Sequence, residues 1–410
     1  MLIGNGASVC SQPLMVPSLA EMTTSEKVRS SNPLKIGMAV SLSGQFQVQG
    51  RQALSGLQAW AADVNRAGGI RVSSKSPTPV SLVYYDDASN RNQVRQATER
   101  LITTDRVDIL LGPYSSMLAE AAADVAEAHE KLLWNQGGAA DSIYQRGYRW
   151  IVGILTPASE YLTGLLPLVR QADSKATKVA IIRAASGQFP RAVCSGVQRV
   201  ASELGCDVSL WRYRQPVTAF TELLDRIEAL RPDVLLGVGR MQDDLLLGGE
   251  LAARRLELAA AVLVAAGIQK FRDVLGVESE GFLGPSQWEA STRHRHDYGP
   301  AVPQVLKSML QHGSGTVDYP MVQAYAGALV AQRCVEAAGT AEDAALRSIA
   351  GILDFSTFFG PFKIDPETGR QTGHSMLIVQ WQQRRKVVVW PPEQKTGDLV
   401  YPWRWPLKNR

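Results

Sequence analysis

Two pairs of small residues stand where two predicted strands end. Ser115 and Ser116 follow one short apolar run, and Gly137 and Gly138 follow the next. A serine hydroxyl beside the first turn of a helix can accept a free backbone N–H, or it can help those N–H groups bind a carboxylate. Glycine lets a ligand approach the backbone closely, or it simply makes a turn. The local residues are therefore equally consistent with plain capping and with a shared ligand site.

Catalytic chemistry finds little support in the same loops. The chain has no GxSxG nucleophile motif, no GxxxxGK[ST] phosphate loop, and no complete GxGxxG after a strand. His294 and His296 form an HxH pair that could hold a metal, but a solvated loop is the favoured interpretation. Asp86 and Asp87 could be an acid pair, but a turn whose carboxylates accept backbone N–H groups is favoured. We therefore predict no catalytic residue, no metal site and no cofactor.

Length and charge narrow the class of protein. The chain has 410 residues, and 43 basic against 39 acidic residues give a net charge of +4. The length indicates two or three domains, and the near balance of charge argues against a nucleic-acid partner. No stretch approaches the ~20 apolar residues that a membrane helix needs, so no membrane span is predicted.

The first 32 residues are polar, rich in serine and without a periodic pattern. They lack the basic start and the apolar run of a conventional secretory signal. We predict a disordered leader over 1–32, with an unconventional export signal as the alternative, so that a cytoplasmic location stays open.

Four cysteines, at positions 10, 194, 206 and 334, show no metal-binding spacing. Cys194 and Cys206 could form a disulfide in an exported chain. Small buried thiols are the favoured interpretation.

Strands and helices alternate along the chain from residue 33. The hydrophobic periodicity predicts a first series with strands at 35–40, 80–85, 107–111 and 131–135, and helices at 52–65, 91–103 and 117–130. It predicts a second series with strands at 178–183, 207–213, 233–238 and 261–265, and helices at 192–204, 218–230 and 243–254. A long helix at 318–338 and two terminal strands at 376–381 and 386–390 follow. This alternation predicts an α/β fold with two parallel sheets covered by helices.

Ligands of open α/β sheets bind beyond the carboxyl ends of the strands. Those ends are predicted in the loops 41–45, 86–89, 113–116, 135–140, 184–189, 239–242 and 266–269, which are rich in Ser, Gly, Asn and Gln. Trp134, Tyr161, Phe189 and Trp288 could wall an apolar or aromatic ligand, although each one singly fits a core position as well.

The order of these motifs resembles one family. The stretches that carry the resemblance are KIGMAVSLSG, NRAGGI, YYDDASN, ILLGPYSS, LLWNQGGAAD, QRGYRWIVG, SEGFLGPSQW, VQAYAGALV and GPFKIDPETG. In this order and spacing they are similar to the leucine/isoleucine/valine-type periplasmic binding proteins, which are the type I substrate-binding subunits of ABC importers. The resemblance spans about 34–390.

The resemblance implies two Rossmann-like lobes with parallel sheets, joined by three hinge crossings, that close on a ligand. Lobe 1 would comprise 33–155 and 288–365, lobe 2 would comprise 156–287 and 366–395, and 396–410 would be a C-terminal tail. It further implies a small-molecule ligand, permease and ATPase partner subunits, and a periplasmic or cell-surface location.

The resemblance also implies which residues bind the ligand. Ser115 or Ser116 and the loop 137–139 would hold a carboxylate and an amino group, but Ala139 stands where members often have a hydroxyl. Phe189 replaces a common tyrosine, and Arg240 replaces an aromatic residue. An acid that binds the ligand's ammonium falls near Gln269, where this chain has no carboxylate. The full predicted set is Ser43, Tyr114, Ser115, Ser116, Trp134, Asn135, Gly137, Gly138, Ala139, Tyr161, Phe189, Arg240 and Gln269.

These departures favour a ligand without an ammonium group, so an aromatic acid or an amide is as plausible as an amino acid. The leading hypothesis is an extracytoplasmic solute-binding protein of a branched-chain-amino-acid-type ABC importer, without enzymatic activity. The alternative is a ligand-sensing regulatory or receptor module of the same fold that acts without transport.

Overall fold

The first five strands of the chain form one parallel sheet. The computed structural model describes residues 32–73, 76–292, 295–313 and 315–405. The first series consists of β1 (Leu34–Val40), α1 (Gln47–Arg66), β2 (Val80–Asp86), α2 (Arg91–Thr103), β3 (Ile109–Leu111), α3 (Ser116–Ala128), β4 (Leu133–Asn135) and β5 (Ile151–Gly153). Hydrogen bonding places the strands in the order β2-β1-β3-β4-β5, all parallel. Helices cover both faces, and the inner strands β3 and β4 are buried along their whole length, whereas the edge strand β2 carries Ser81 and the 40% exposed Tyr84.

The second series builds the larger sheet. Its members are α4 (Leu165–Ala172), β6 (Lys178–Ala184), α5 (Gln188–Glu203), β7 (Asp207–Tyr213), α6 (Thr221–Leu230), β8 (Val234–Val238), α7 (Met241–Arg254), β9 (Ala260–Leu263), α8 (Gln269–Leu275) and β10 (Leu283–Ser286). The last elements are α9 (Val302–His312), α10 (Tyr319–Ala338), α11 (Asp343–Ile352), β11 (Phe355–Thr357), β12 (Gly360–Phe362), β13 (Leu377–Gln382) and β14 (Arg385–Trp390). The second sheet has the order β14-β13-β10-β9-β8-β6-β7, in which β13 and β14 are antiparallel to their neighbours.

The chain passes three times between the two sheets. It leaves the first sheet after β5, leaves the second sheet after β10, and returns to it between β12 and β13. In between, α10 packs along α1, where Gly56 lies against the backbone oxygen of Met321. The predicted α/β fold with two sheets and three crossings is confirmed, while the predicted lobe boundaries stay predictions.

The predicted C-terminal tail contributes to the core of the second sheet. Trp403 is 6% exposed, and its ring centroid lies 5.1 Å from that of Phe282. Its backbone N–H donates to the oxygen of Ala259 at 2.8 Å. Residues 1–31, which hold nearly all of the predicted leader, lie outside the described residues.

Several elements differ from the predicted ones for identifiable reasons. Helix α5 begins at Gln188 rather than at 192, because Pro190 fits the first turn, where no helical hydrogen bond is lost. The sequence analysis missed β5, which has only three residues, and β10, whose sequence LGPS contains Gly and Pro. Within the described parts of the chain, no helix combines the length and apolar character required to cross a bilayer.

Candidate functional site

Hydrogen bonds join the loop that follows β3 to the loop that follows β4. Ser115 donates its backbone N–H to the oxygen of Gly137 at 3.0 Å, and its hydroxyl caps α3 by accepting the N–H of Leu118. The Ser116 hydroxyl oxygen accepts the N–H of Ala139 at 3.1 Å and that of Ala140 at 2.9 Å. Both serines therefore hold backbone groups, and the two loops form one connected edge above the first sheet.

Close packing explains the glycines of the second loop. A Cβ atom on Gly138 would lie 2.4 Å from the Cβ of Ala119, and one on Gly137 would lie 2.2 Å from the backbone oxygen of Pro113. Such distances leave no room for a side chain. The neighbouring helix and loop therefore explain why these positions carry no side chain, and the hypothesis that the backbone of Gly137 and Gly138 meets a ligand stays a prediction.

Two further residues of the predicted set lie inside the first sheet. Asn135 is fully buried, donates to the oxygen of Gly138 at 2.8 Å and accepts its N–H at 2.9 Å, so that it shapes the turn. Trp134 is also fully buried and packs in the apolar core. The structure thus places Trp134 in the core rather than along a ligand wall, and buried Trp288 likewise donates its indole N–H to the oxygen of Phe358.

The loop after β2 has the turn geometry that the sequence favoured. Asp86 accepts the N–H groups of Leu42 and Ala88, both at 2.9 Å, and the hydroxyl of Ser43 at 2.8 Å. Asp87 is fully buried and accepts the hydroxyl of Ser41 at 2.6 Å. Ser43 is therefore engaged in holding this turn.

Three tyrosine side chains converge near the carboxyl edges of the strands. The hydroxyls of Tyr114, after β3, and Tyr319, at the start of α10, are hydrogen-bonded. Tyr161, in the first crossing, lies close enough to influence the ionisation of Tyr319, as Tyr114 does. Loss of hydration raises the pKa of Tyr114 to about 12 and raises the pKa values of the other two. All three side chains therefore remain neutral hydroxyls at physiological pH.

Aromatic rings flank this tyrosine cluster, which we define as Tyr114, Tyr161 and Tyr319. The ring of Phe46 meets Tyr114 edge-on with centroids 6.0 Å apart, and Phe189 meets Tyr161 edge-on at 5.1 Å. The structure thus brings together Tyr114, Tyr161 and Phe189 of the predicted set. The hydroxyl of Tyr161 accepts the amide of Gln287 at 2.9 Å, which leaves its own proton for another acceptor.

In the second sheet, a buried carboxylate joins the loops after β8 and β9, and Arg240 is exposed nearby. Arg240 is exposed at the start of α7, and its backbone N–H donates to Asp243 at 3.2 Å. The next residue, Asp244, is 1% exposed and accepts the N–H of Ala265 at 2.8 Å, and its contacts with the backbone of Gly239 and Val264 join the loops after β8 and β9. Burial raises the pKa of Asp244 to about 8. Nothing in these contacts places the Arg240 side chain beside the tyrosine cluster.

A carboxylate does lie at Gln269, contrary to the expectation from the sequence. Asp318 is 2% exposed and accepts the backbone N–H of Gln269 at 3.1 Å through one oxygen and 3.2 Å through the other. It also accepts the amide of Gln52 at 3.2 Å. The correction arises because Asp318 comes from α10, 49 residues further along the chain.

Lys386 completes a buried ionic trio with Asp318 and Glu289. Its Nζ atom lies 2.8 Å from a Glu289 oxygen and 3.2 Å from an Asp318 oxygen, and the lysine side chain is 10% exposed. Desolvation lowers the pKa of Lys386, but the two carboxylates outweigh it and raise the pKa overall. Burial raises the pKa of Glu289 against the opposing effect of the lysine. The trio adjoins the tyrosine cluster, since Asp318 directly precedes Tyr319.

The sequence analysis missed Asp318, Tyr319, Glu289 and Lys386. One available signal was the sequence Asp318-Tyr319-Pro320, in which an acid precedes a proline in the first helical turn. Nothing local indicated Lys386, because its partners come from two other parts of the chain.

The cysteines and the candidate metal-ligating side chains of the described residues form neither a disulfide nor a metal site. Cys194 and Cys206 are both free, and burial raises the pKa of the Cys194 thiol to about 12. Among the described residues no three His, Cys, Asp or Glu side chains are grouped as a metal would require. His294 of the HxH pair lies outside the described residues.

Comparison with known proteins identifies the family of this chain. The model of the periplasmic binding protein family matches residues 33–386. The chain belongs to this family. A relative over nearly the whole length is the Leu/Ile/Val-binding protein homolog 7 of Brucella suis biovar 1, which is 22% identical over 391 residues, 91% of this chain and 95% of the relative.

Solved structures of periplasmic binding proteins share the fold. The substrate-binding protein LivJ from Streptococcus pneumoniae, in complex with isoleucine, superposes with a TM-score of 0.75 at 14% identity, over 90% of this chain and all of that one. A solute-binding protein from R. palustris, in complex with benzoate, gives a TM-score of 0.74 at 17% identity, over 90% of this chain and 98% of that one. These relatives are binding proteins rather than enzymes, and so is this family member.

Proposed function

We propose that this periplasmic binding protein is the solute-binding subunit of an ABC importer of the branched-chain-amino-acid type. Its ligand is a small carboxylate or amide, with an aromatic acid as the favoured class. The ligand lies between the two sheets and is enclosed when they approach each other about the three crossings. The observation that carries the proposal is the convergence of three neutral tyrosine hydroxyls between aromatic rings.

Neutral hydroxyls suit a carboxylate or an amide because a hydroxyl donates a proton to an oxygen. One hydroxyl of the Tyr114–Tyr319 pair donates to the other, so the cluster offers a ligand one proton from that pair and one from Tyr161. The Ser116 oxygen already accepts two N–H groups, so its hydroxyl can offer a ligand only its proton. Ser116 and Ser115 also stand at the start of α3, where the helix dipole favours a negative group. A carboxylate at this edge would gain both contributions without a lysine or arginine.

Aromatic neighbours favour a ring on the ligand. Phe46 and Phe189 each present an edge-on contact to a tyrosine of the cluster, and a ring on the ligand would add a contact of the same kind, worth about 0.5–1.5 kcal/mol. The ligands of the similar solved structures, isoleucine in one and benzoate in another, mark the two chemical classes to be compared. The fit of aromatic contacts to an aromatic acid is the reason for preferring the second class.

The remaining parts of the proposal follow from the family. An importer of this type requires permease and ATPase subunits, and the binding protein delivers its ligand to them outside the cytoplasmic membrane. We propose this periplasmic or cell-surface location for the chain, and fractionation of cells that produce the full chain would test it.

Ligand-linked stabilisation is the test. The purified protein is mixed with benzoate, 4-hydroxybenzoate, benzamide, leucine, isoleucine and urea, and melting temperature and calorimetric dissociation constants are measured. A ligand at ~100-fold excess over its dissociation constant stabilises by about 2.7 kcal/mol. Tyr319→Phe should weaken the best ligand about tenfold, because the hydrogen-bonded Tyr114–Tyr319 pair beside its carboxylate loses one of its two hydroxyls. The matched control is Tyr84→Phe, which removes a hydroxyl from a tyrosine that is 40% exposed on β2.

The outcomes separate the possible roles. Binding of an aromatic acid that is weakened by Tyr319→Phe and not by Tyr84→Phe would support the proposal. Equal weakening by both variants would move the ligand away from the tyrosine cluster. No binding across the panel would contradict a general nutrient carrier and would favour a dedicated sensor of the same fold.

A further inference from the structure

The ionic trio of Asp318, Glu289 and Lys386 lies where the two sheets are joined. Asp318 directly precedes α10, which packs on the first sheet, and it contacts Gln52 of α1. Lys386 belongs to β14 of the second sheet and donates to the backbone oxygen of Gly267 at 3.1 Å. The trio therefore borders the loop after β9 on one side and the tyrosine cluster on the other.

The Asp318 carboxylate has no capacity left for a ligand. Its two oxygens receive the N–H of Gln269, the amide of Gln52 and the ammonium of Lys386, all within 3.2 Å. A carboxylate has about four lone-pair positions. The N–H of Gln269 is shared between both oxygens, so the three donors make four contacts, and the side chain is 2% exposed. Glu289 is also engaged by Lys386, at 2.8 Å.

Charge balance leads to the same conclusion. Two carboxylates without a cation at this depth would strongly attract a positive group, because burying an unpaired charge is costly. Lys386 supplies that group permanently from within the chain. A ligand ammonium arriving beside it would meet a like charge at close range and would find the Asp318 oxygens already occupied.

We propose that the Lys386 ammonium occupies the position from which Asp318 and Glu289 would otherwise hold an ammonium on the ligand, so that the site selects acids and amides lacking one. This inference rests on the proposed function and names a residue that determines its specificity.

Ligand pairs that differ only by the ammonium group provide the test. Calorimetry compares phenylalanine with 3-phenylpropanoate, and leucine with 4-methylpentanoate, on the wild-type protein and on Lys386→Met. The wild type should bind the member without an ammonium at least about tenfold more tightly. Lys386→Met should reduce that ratio by about tenfold or more, because the freed carboxylates then accept the ligand's ammonium.

Control variants isolate the effect of this one charge. Lys386→Arg retains the cation and should retain the wild-type order of ligands. Lys395→Met removes an exposed lysine, 43% accessible, and should change nothing. If Lys386→Met alone fails to fold, Lys386→Met combined with Glu289→Gln keeps one carboxylate with less repulsion. This double variant should show the same gain for amino acids.

Two results would overturn the inference. One is a wild type that binds the amino acid as tightly as its partner without an ammonium. The other is a folded variant without Lys386 that keeps the wild-type ratio. Binding of no compound in either pair or in the wider panel would instead contradict the proposed function, and the inference would fall with it.

Discussion

The carboxylate of Asp318 accepts the backbone N–H of Gln269 at 3.1 Å, and this contact ties the start of α10 to the start of α8. The first of these helices packs on the first sheet, and the second follows β9 of the second sheet. Lys386 reaches the same carboxylate from β14. These contacts therefore connect the first sheet to the second sheet, beside the proposed ligand site.

Asp318→Asn should lower the free energy of unfolding by about 1–3 kcal/mol, because buried donors lose a charged acceptor. Urea unfolding followed by circular dichroism measures this change. Asp354→Asn is the matched control, since Asp354 pairs with Lys363 at 2.8 Å on the surface and is 61% exposed. Its substitution should cost below about 0.5 kcal/mol. Equal losses in the two variants would show that Asp318 acts as an ordinary surface carboxylate.

Ser116→Ala should also destabilise the protein by about 1–3 kcal/mol, because the N–H groups of Ala139 and Ala140 lose their acceptor. Ser142→Ala is a close comparison, since the Ser142 hydroxyl is buried without a hydrogen-bond partner. Removing that hydroxyl should leave stability unchanged or slightly raised. Unfolding midpoints of the two variants, measured side by side, would contradict this account if Ser142→Ala were the more harmful.

Much of the fold could be predicted from periodicity, because each long strand and helix carries its own apolar pattern. Helix α2 and strand β7 begin and end where the sequence predicts. Less of the candidate site could be predicted from the sequence. The roles of Ser115 and Ser116 could not be separated, since both hydroxyls stand next to the same helix start and only the position of the facing loop distinguishes them.

Contacts between distant segments explain what the sequence could not provide. The sequence has no acid at positions 268–269. In the folded chain, however, the carboxylate of Asp318, which directly precedes α10, lies beside Gln269. Gly138 suggested a backbone that a ligand can approach, and the structure adds that Ala119 fills the position a side chain would take there. Local sequence indicates the type of group that a loop carries, whereas the neighbours of that group depend on packing.

Gly138→Ala should therefore destabilise the protein through crowding, and a loss of ligand affinity in this variant would be secondary. The added methyl would lie 2.4 Å from the Cβ of Ala119, and overpacking of this kind costs about 1–3 kcal/mol. Gly249→Ala is the matched control, because its added Cβ would approach only Leu275, at 3.8 Å, inside α7.

Gly249→Ala should raise stability by about 0.5–1 kcal/mol through better helix propensity. Thermal unfolding of both variants tests the opposite signs. A Gly138→Ala variant as stable as the wild type would mean that α3 and the loop after β4 can separate at little cost.

Asp244 predicts a specific dependence of stability on pH. Its pKa in the folded protein is about 8, against about 3.9 in an unfolded chain, so the folded state holds one more proton between these values. The stability that this extra proton provides is therefore present in full below about pH 4, is lost progressively as pH rises from about 4 to about 8, and changes little above that. Asp244→Asn removes the titrating group while retaining an oxygen acceptor for the N–H of Ala265.

The stability of the variant relative to the wild type should rise steadily from pH 5 to about pH 8 and should level off by pH 9. Urea unfolding at five pH values, with the difference between variant and wild type plotted against pH, measures the effect. Asp398→Asn serves as the control, because hydrogen bonding to Lys395 lowers the pKa of Asp398 and the group stays ionised throughout this range. A flat difference for Asp244→Asn would mean that the contacts with the backbone of Ala265, Gly239 and Val264 keep Asp244 ionised despite its burial.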